Sequence, residues 1–332
     1  MRENIVTVTA PPAAVAPPTP PRDAAPRRRT GRRPGSPAAA LLSWVRGGGV
    51  GTLVMFLPLL LTFGYFAWWP IAKSLILAFQ RTDLITEPTW VGLSNFERVL
   101  ADPLLWTALG NTAWFAVLAL VIGFPLPILM AVVMAELRRT RQITSVLAYL
   151  PVIIPPVVSV LLWKQFYEPS GTGLFNSALI ALGIEPVGWL QEPALAIPSI
   201  VIQSTWASAG TATIIYLAAL MSIRTELYDA AEVDGASILQ RTWHVTLPQL
   251  RGVILLMLLL QLIGTMQVFT EPFVMTGGGP ENRTVTLLML VYNYAFLSGD
   301  FGKATALSLL LAVGLGLLSA VYLRLTRKWS ES

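Results

Sequence analysis

The 332-residue chain has no cysteine, a single histidine and charged side chains at only 12% of its positions. Without cysteine it can form no disulfide, no thiolate metal site and no cysteine nucleophile. His244 alone cannot assemble a metal cluster, and no His-Glu-x-x-His helix or Gly-x-Ser-x-Gly elbow is present, so neither metal nor catalytic residues are expected. Soluble domains carry roughly 25% charged residues, which argues against a cytosolic enzyme. A phosphate loop is also lacking. The nearest echo, "GDFGKAT" from Gly299 to Thr305, has fewer residues between its glycines than that motif requires.

What the chain does have is apolar length, with 54% hydrophobic residues gathered in repeated runs. A helix of about 20 apolar residues crosses a bilayer core of about 30 Å, so the fold expected is an all-α, polytopic membrane helical bundle. Six spans are predicted, at roughly 51–79, 107–135, 143–165, 195–221, 253–275 and 304–325. The apolar segment 284–297 is short, and is expected on the outer rim or against the bundle; a seventh span there is the rival reading.

Basic residues discriminate between the two. With six spans and the N-terminus inside, the cytoplasmic side receives eight Lys and Arg in the tail, three in "ELRRTRQ", three after the fourth span and three in "RLTRK", leaving six of 23 outside. This is the positive-inside pattern, and it puts both termini in the cytoplasm. The basic residues form no single face of the kind nucleic acid requires. Residues 1–48, rich in Pro, Ala and Arg, are expected to be a disordered cytoplasmic tail ahead of a membrane domain at 49–328. Its arginines serve either as a lipid-facing anchor or as a solvated tail that holds this end inside.

One stretch in the second half is unlike membrane sequence. "DAAEVDGASILQRTWHVTLP", Asp229 to Pro248, carries Asp229, Glu232, Asp234 and Arg241 between two apolar runs. Thr225 is a plausible N-cap, with Glu226 and Asp229 placing negative charge where the helix dipole favours it. Ala230 and Ala231 keep the helix thin, Gly235 interrupts it, and Pro248 opens the next span. Two short helices with a bend are predicted.

The spacing of this stretch resembles the cytoplasmic loop of ABC importer permeases, Glu-Ala-Ala, three residues, Gly, nine residues, Ile-x-Leu-Pro. Here Asp229-Ala230-Ala231 is followed by three residues, Gly235, nine residues and Val245-Thr246-Leu247-Pro248, with Asp for Glu and Val for Ile. "VMTGGGPENRT", Val274 to Thr284, and "WVGLSNFERVL" after the first span narrow the resemblance to the maltose-type carbohydrate-uptake permeases, over roughly residues 50–325.

That resemblance implies a permease subunit of an ATP-driven importer of a sugar or oligosaccharide in the bacterial inner membrane. The loop 222–252 would couple it to a separate ATPase through residues 225–248. Asp229, Ala230, Ala231, Asp234, Gly235, Leu247 and Pro248 would form the contact. The implied partners are a second permease subunit forming a heterodimer, an ATPase subunit dimer, an extracytoplasmic sugar-binding protein and membrane lipids. ATP and Mg would belong to the ATPase, with no cofactor in this chain.

For a sugar path, hydrogen-bonding groups must sit inside the bundle. Gln261, Thr265 and Val268 fall on one helical stripe with Gln267 beside it, and Trp206, Ser208 and Thr211 are candidates in the fourth span. The resemblance implies that the segments Ala207–Thr211 and Gln261–Val268 line the site; the competing role is helix-to-helix bonding. Pro125, Pro127, Pro151, Pro155 and Pro156 bend their helices, which suits a path but also occurs in ordinary bundles. Two rivals remain. A glycerol-phosphate or phosphodiester importer would need cationic groups in the cavity, and an ATP-independent channel or secondary carrier would lack a docking loop.

Overall fold

A computed structural model of the protein describes residues 47–137 and 140–330. The tail expected to be disordered thus lies, up to residue 46, outside the described residues, as do Arg138 and Arg139. Contacts divide the chain after Phe66. The described part of the first unit is a helix, Gly49–Phe63, running into a π-helical turn at Gly64, with its large apolar side chains exposed.

Among the described residues, five helices are long and apolar enough to cross a bilayer: Val50–Leu77, Pro103–Glu136, Ala196–Met221, Ile238–Thr265 and Phe301–Arg327. Two expected spans depart from a single straight helix at the expected bounds. The third, at 143–165, is a pair of helices, Gln142–Ile153 and Pro156–Phe166, meeting at 94°. Pro155 pushes Ile154 into extended backbone, at ψ 128°, and Pro156 can donate no amide to continue the helix.

The fifth span, expected at 253–275, is shifted toward the N-terminus. Its helix runs without a break from Ile238, through a π-helical turn at Thr242–Thr246, and stops at Thr265. The Met266, Gln267 and Val268 amides close it in short-range bonds to Leu262, Gly264 and Thr265 carbonyls. A separate helix, Thr270–Thr276, follows, with Pro272 in its first turn, where the missing amide would be unsatisfied anyway.

The segment Leu287–Leu297 is too short to span, and Leu287, Met289, Leu290, Tyr294 and Ala295 are buried in one cluster with Val99, Leu105, Ala108 and Leu307. It is packed into the bundle, so no seventh span exists there. A small antiparallel ribbon, Gln80–Arg81 with Thr89–Trp90, is the only sheet among the described residues.

Close approach of helices sets the rest. The fourth span packs on the second and on Arg141–Ile153, and a Cβ added at Gly210 would stand 2.2 Å from the Ala148 carbonyl oxygen. Only glycine permits that contact. At the start of the last span, Asp102 caps Pro103–Leu118 through the Leu104 amide, and accepts from the Lys303 Nζ at 2.8 Å and the Tyr294 hydroxyl at 2.6 Å. Arg98 pairs with Asp300 beside it.

Candidate functional site

A cavity of about 480 Å³ opens between the second, fourth and fifth spans and the helices that follow the fifth. The fourth span contributes Ser204, Thr205 and Ser208, spaced so that one helical face presents all three. From the fifth come Gln261, Gly264 and Thr265, and the break after it turns Gln267, Val268 and Phe269 into the same space. Thr270 and Glu271 open the next helix, while Phe115 and Leu288 supply apolar wall.

Ser208, Gln261, Thr265, Gln267 and Val268 all border this one cavity, although not on one stripe. The helix ends at Thr265, and it is the turn beyond it that aims Gln267 and Val268 inward.

Trp206 and Thr211 do not border this cavity. Trp206 stands 5.5 Å, ring to ring, from Trp163, in an aromatic group with Tyr167, Phe175 and Trp189. Two residues from Ser204 along a helix, it faces nearly the opposite way. Thr211 shares the stripe of Ser204 and Ser208 but lies about 4.5 Å further along the axis than Ser208; it is exposed and does not line the cavity. Of the segment 207–211, Ser208 alone reaches the space.

The sequence reading missed Ser204, Thr205 and Glu271. Ser204 was legible as the residue one turn before Ser208. Glu271 carried a louder signal, a lone acid in "MQVFTEPFVM", where an ionisable group in apolar surroundings needs a reason.

The polar lining is unevenly satisfied. The hydroxyls of Ser204, Ser208 and Thr265 donate to the Val201, Ser204 and Gln261 carbonyls, and the Gln267 amide to that of Ile263. Among the described residues the Gln261 amide has no hydrogen-bond partner, and Glu271 belongs to none of the ion pairs.

The acidic stretch forms a second feature. Thr225–Val233 is a helix whose N-cap is Arg224, in extended backbone, so Thr225 is the first helical residue and not the cap. Gly235 then turns the chain at φ +74°, and a Ser237–Gln240 capping box starts the next helix. That helix is not a short separate one as expected, since it continues through Leu247 and Pro248 into the fifth span.

Arg241 reaches back to Glu232 at 3.6 Å, and the Tyr228 hydroxyl meets that of Thr246 at 3.0 Å. Asp229 borders a cavity of about 410 Å³ beneath Leu220 and Ile223. Ala231, Asp234 and Gly235 border a hollow of about 290 Å³ with His244 and Val245. Ala230 and Pro248 are exposed and Leu247 is half-buried. Around them Val233 is 88% exposed, Leu239 68% and Trp243 63%.

Apolar helices of spanning length, a polar cavity between them and an exposed loop outside them are the architecture of a membrane transport subunit. The family comparison is specific. The model of the binding-protein-dependent transport system inner membrane components matches residues 123–331, and the chain belongs to that family. It is 34% identical over 275 residues to the trehalose/maltose transport system permease protein MalF of Thermococcus litoralis, covering 82% of this chain and 92% of that one. It is 33% identical to the lactose transport system permease protein LacF of Rhizobium radiobacter, covering 79% and 89%. A solved bacterial ABC transporter involved in the import of the acidic polysaccharide alginate has a matching chain, with TM-score 0.78 at 27% identity over 87% of this chain and 99% of that one.

Proposed function

We propose that this chain is the permease subunit of an ATP-driven sugar importer and that the 480 Å³ cavity is its half of the sugar path. The observation that carries the reading is the Gln261 amide, held without a protein partner among the described residues on a cavity to which the facing span brings Ser204, Thr205 and Ser208. Sugar hydroxyls need such partners, and Phe115, Phe269 and Leu288 offer apolar surface for ring faces. The named relatives that transport trehalose, maltose and lactose support a sugar as cargo.

Energy enters elsewhere. The loop 225–248 docks on a separate ATPase, which binds ATP and Mg, and the apolar side chains of Val233, Leu239 and Trp243 supply area for that contact. A second permease subunit completes the path, an extracytoplasmic binding protein delivers the sugar, and both termini are cytoplasmic. A phosphodiester importer fits less well, because no Lys, Arg or His lines the cavity among the described residues.

The test is proteoliposomes holding the whole complex, with uptake of trehalose, maltose and lactose measured alongside ATP hydrolysis. Uptake of at least one sugar should require both ATP and the binding protein. Flux without ATP would identify a channel or secondary carrier instead.

A further inference from the structure

The lining of this cavity is lopsided in its charge. The Ser204, Ser208 and Thr265 hydroxyls and the Gln267 amide each donate to a backbone carbonyl, while the Thr205 and Thr270 hydroxyls and the Gln261 amide keep their donors, so the neutral groups can both give and accept hydrogen bonds. Glu271 adds a carboxylate, which when ionised only accepts. No cationic side chain lines the cavity among the described residues, and none is ion-paired to Glu271. Such a wall suits a neutral or cationic molecule. It is mismatched to one that brings negative charge.

Resting on the assignment of this cavity as the sugar path, we infer that Glu271 is a specificity-determining residue that admits uncharged and cationic saccharides and rejects acidic ones. Its two oxygens accept from a pair of neighbouring hydroxyls on a neutral sugar, or from the ammonium of an amino sugar. A uronic acid or sugar phosphate in the same position would set like charges together in a space of low dielectric, where repulsion far exceeds its value in water. The Gln261 amide is the complementary donor, available to a ring or hydroxyl oxygen of the same sugar.

Because the chain has no cysteine, the field in the cavity can be measured without knowing the cargo. Ser208→Cys, on the cavity wall, is reacted in the assembled complex with a cationic, an anionic and an uncharged methanethiosulfonate of similar size. Modification of this chain is followed by mass spectrometry. Replacing Glu271→Gln should lower the ratio of cationic to anionic rates by about tenfold, since one nearby charge acts with opposite sign on the two reagents. Glu271→Asp, which keeps the charge, should leave the ratio close to that of the Ser208→Cys parent.

The uncharged reagent reports access and folding in every variant. An unchanged ratio in Glu271→Gln, with the uncharged reagent still reacting, overturns the role of Glu271 and leaves the sugar path standing. If no reagent reaches Ser208→Cys either at rest or during ATP turnover, the sugar path itself falls, and this inference with it.

Discussion

Gln261 and Thr265 lie one turn apart on the fifth span, yet the structure gives them different work. Thr265 donates its hydroxyl to the Gln261 and Leu262 carbonyls, whereas the Gln261 amide, on a residue that borders the cavity, has no partner among the described residues, and its nitrogen would stand 3.8 Å from a Cβ added at Gly123. Truncating a group that bonds cargo removes a hydrogen bond of about 0.5–1.5 kcal/mol, a several-fold weakening. Gln261→Ala with Thr265→Ala should therefore slow uptake per complex several-fold, with most of the loss already present in Gln261→Ala. Uptake rate and thermal stability measured on one preparation check this. An unchanged rate with lowered stability would make both residues helix-joining groups only.

A residue-scale prediction also attaches to Asp102. Burial raises its carboxyl, but hydrogen bonds from Lys303, Tyr294 and the Leu104 amide outweigh that and hold it below the ordinary 3.8. Asp300 is likewise raised by burial and brought below the ordinary value by Arg98 and the Lys303 amide. A carboxyl lowered by folding stabilises the fold above its unfolded value and ceases to do so as pH falls through the folded one. Thermal stability of the solubilised chain should thus decline as pH falls below about 4. Asp102→Asn should cost about 1.5–3 kcal/mol at neutral pH and flatten that decline. A pH profile of the variant parallel to the parent's would count against the network.

Among the elements, the stretch from Thr225 to Pro248 buries only Thr246. Gly235 at φ +74° makes the turn between its helices, and Ala231 borders the small hollow beside it. A tryptophan at 231 would fill that hollow, and a proline at 235 could not adopt the left-handed backbone. Either Ala231→Trp or Gly235→Pro should leave the chain inserted in the membrane while separating ATP hydrolysis from uptake, or preventing ATPase docking. Normal uptake with normal substrate-stimulated hydrolysis in both variants would remove this loop from the coupling path.

The same element shows where sequence spacing stops being informative. The Asp-Ala-Ala, Gly and Leu-Pro positions could be located by counting, and the bend at Gly235 followed from them. The continuity of Ile238 with the fifth span could not, because Pro248 looks like a helix start and instead occupies an early position in a helix already carried through a π-helical turn. For the third span the prolines were visible, but the 94° angle depends on how the two halves pack afterwards.

At the scale of the whole molecule, the distribution of basic residues predicts sidedness. Seventeen of the 23 fall on one side of the six-span arrangement, so both ends should be cytoplasmic. Ser330→Cys in this cysteine-free chain should resist a membrane-impermeant thiol reagent in intact cells and react after permeabilisation. Labelling from outside would reverse the C-terminal assignment.

Composition and hydrophobic run length by themselves determined a polytopic membrane bundle, because a bilayer imposes a span length, and the intervals of one loop, countable along the chain, carried the resemblance to the importer permeases. Ser208, Gln261 and Thr265 could be nominated from periodicity, since a helix carries its own register. Tertiary structure alone decided that Trp206 belongs to an aromatic cluster, that Thr211 lies beyond the cavity, and that the chain breaks at Thr265 so that Gln267 and Glu271 turn into it. The physical reason is that a helical stripe fixes only direction. Which part of the stripe meets a cavity depends on where neighbouring helices end and how closely they approach, as Gly210 against Ala148 illustrates, and those quantities arise from packing between segments distant in sequence.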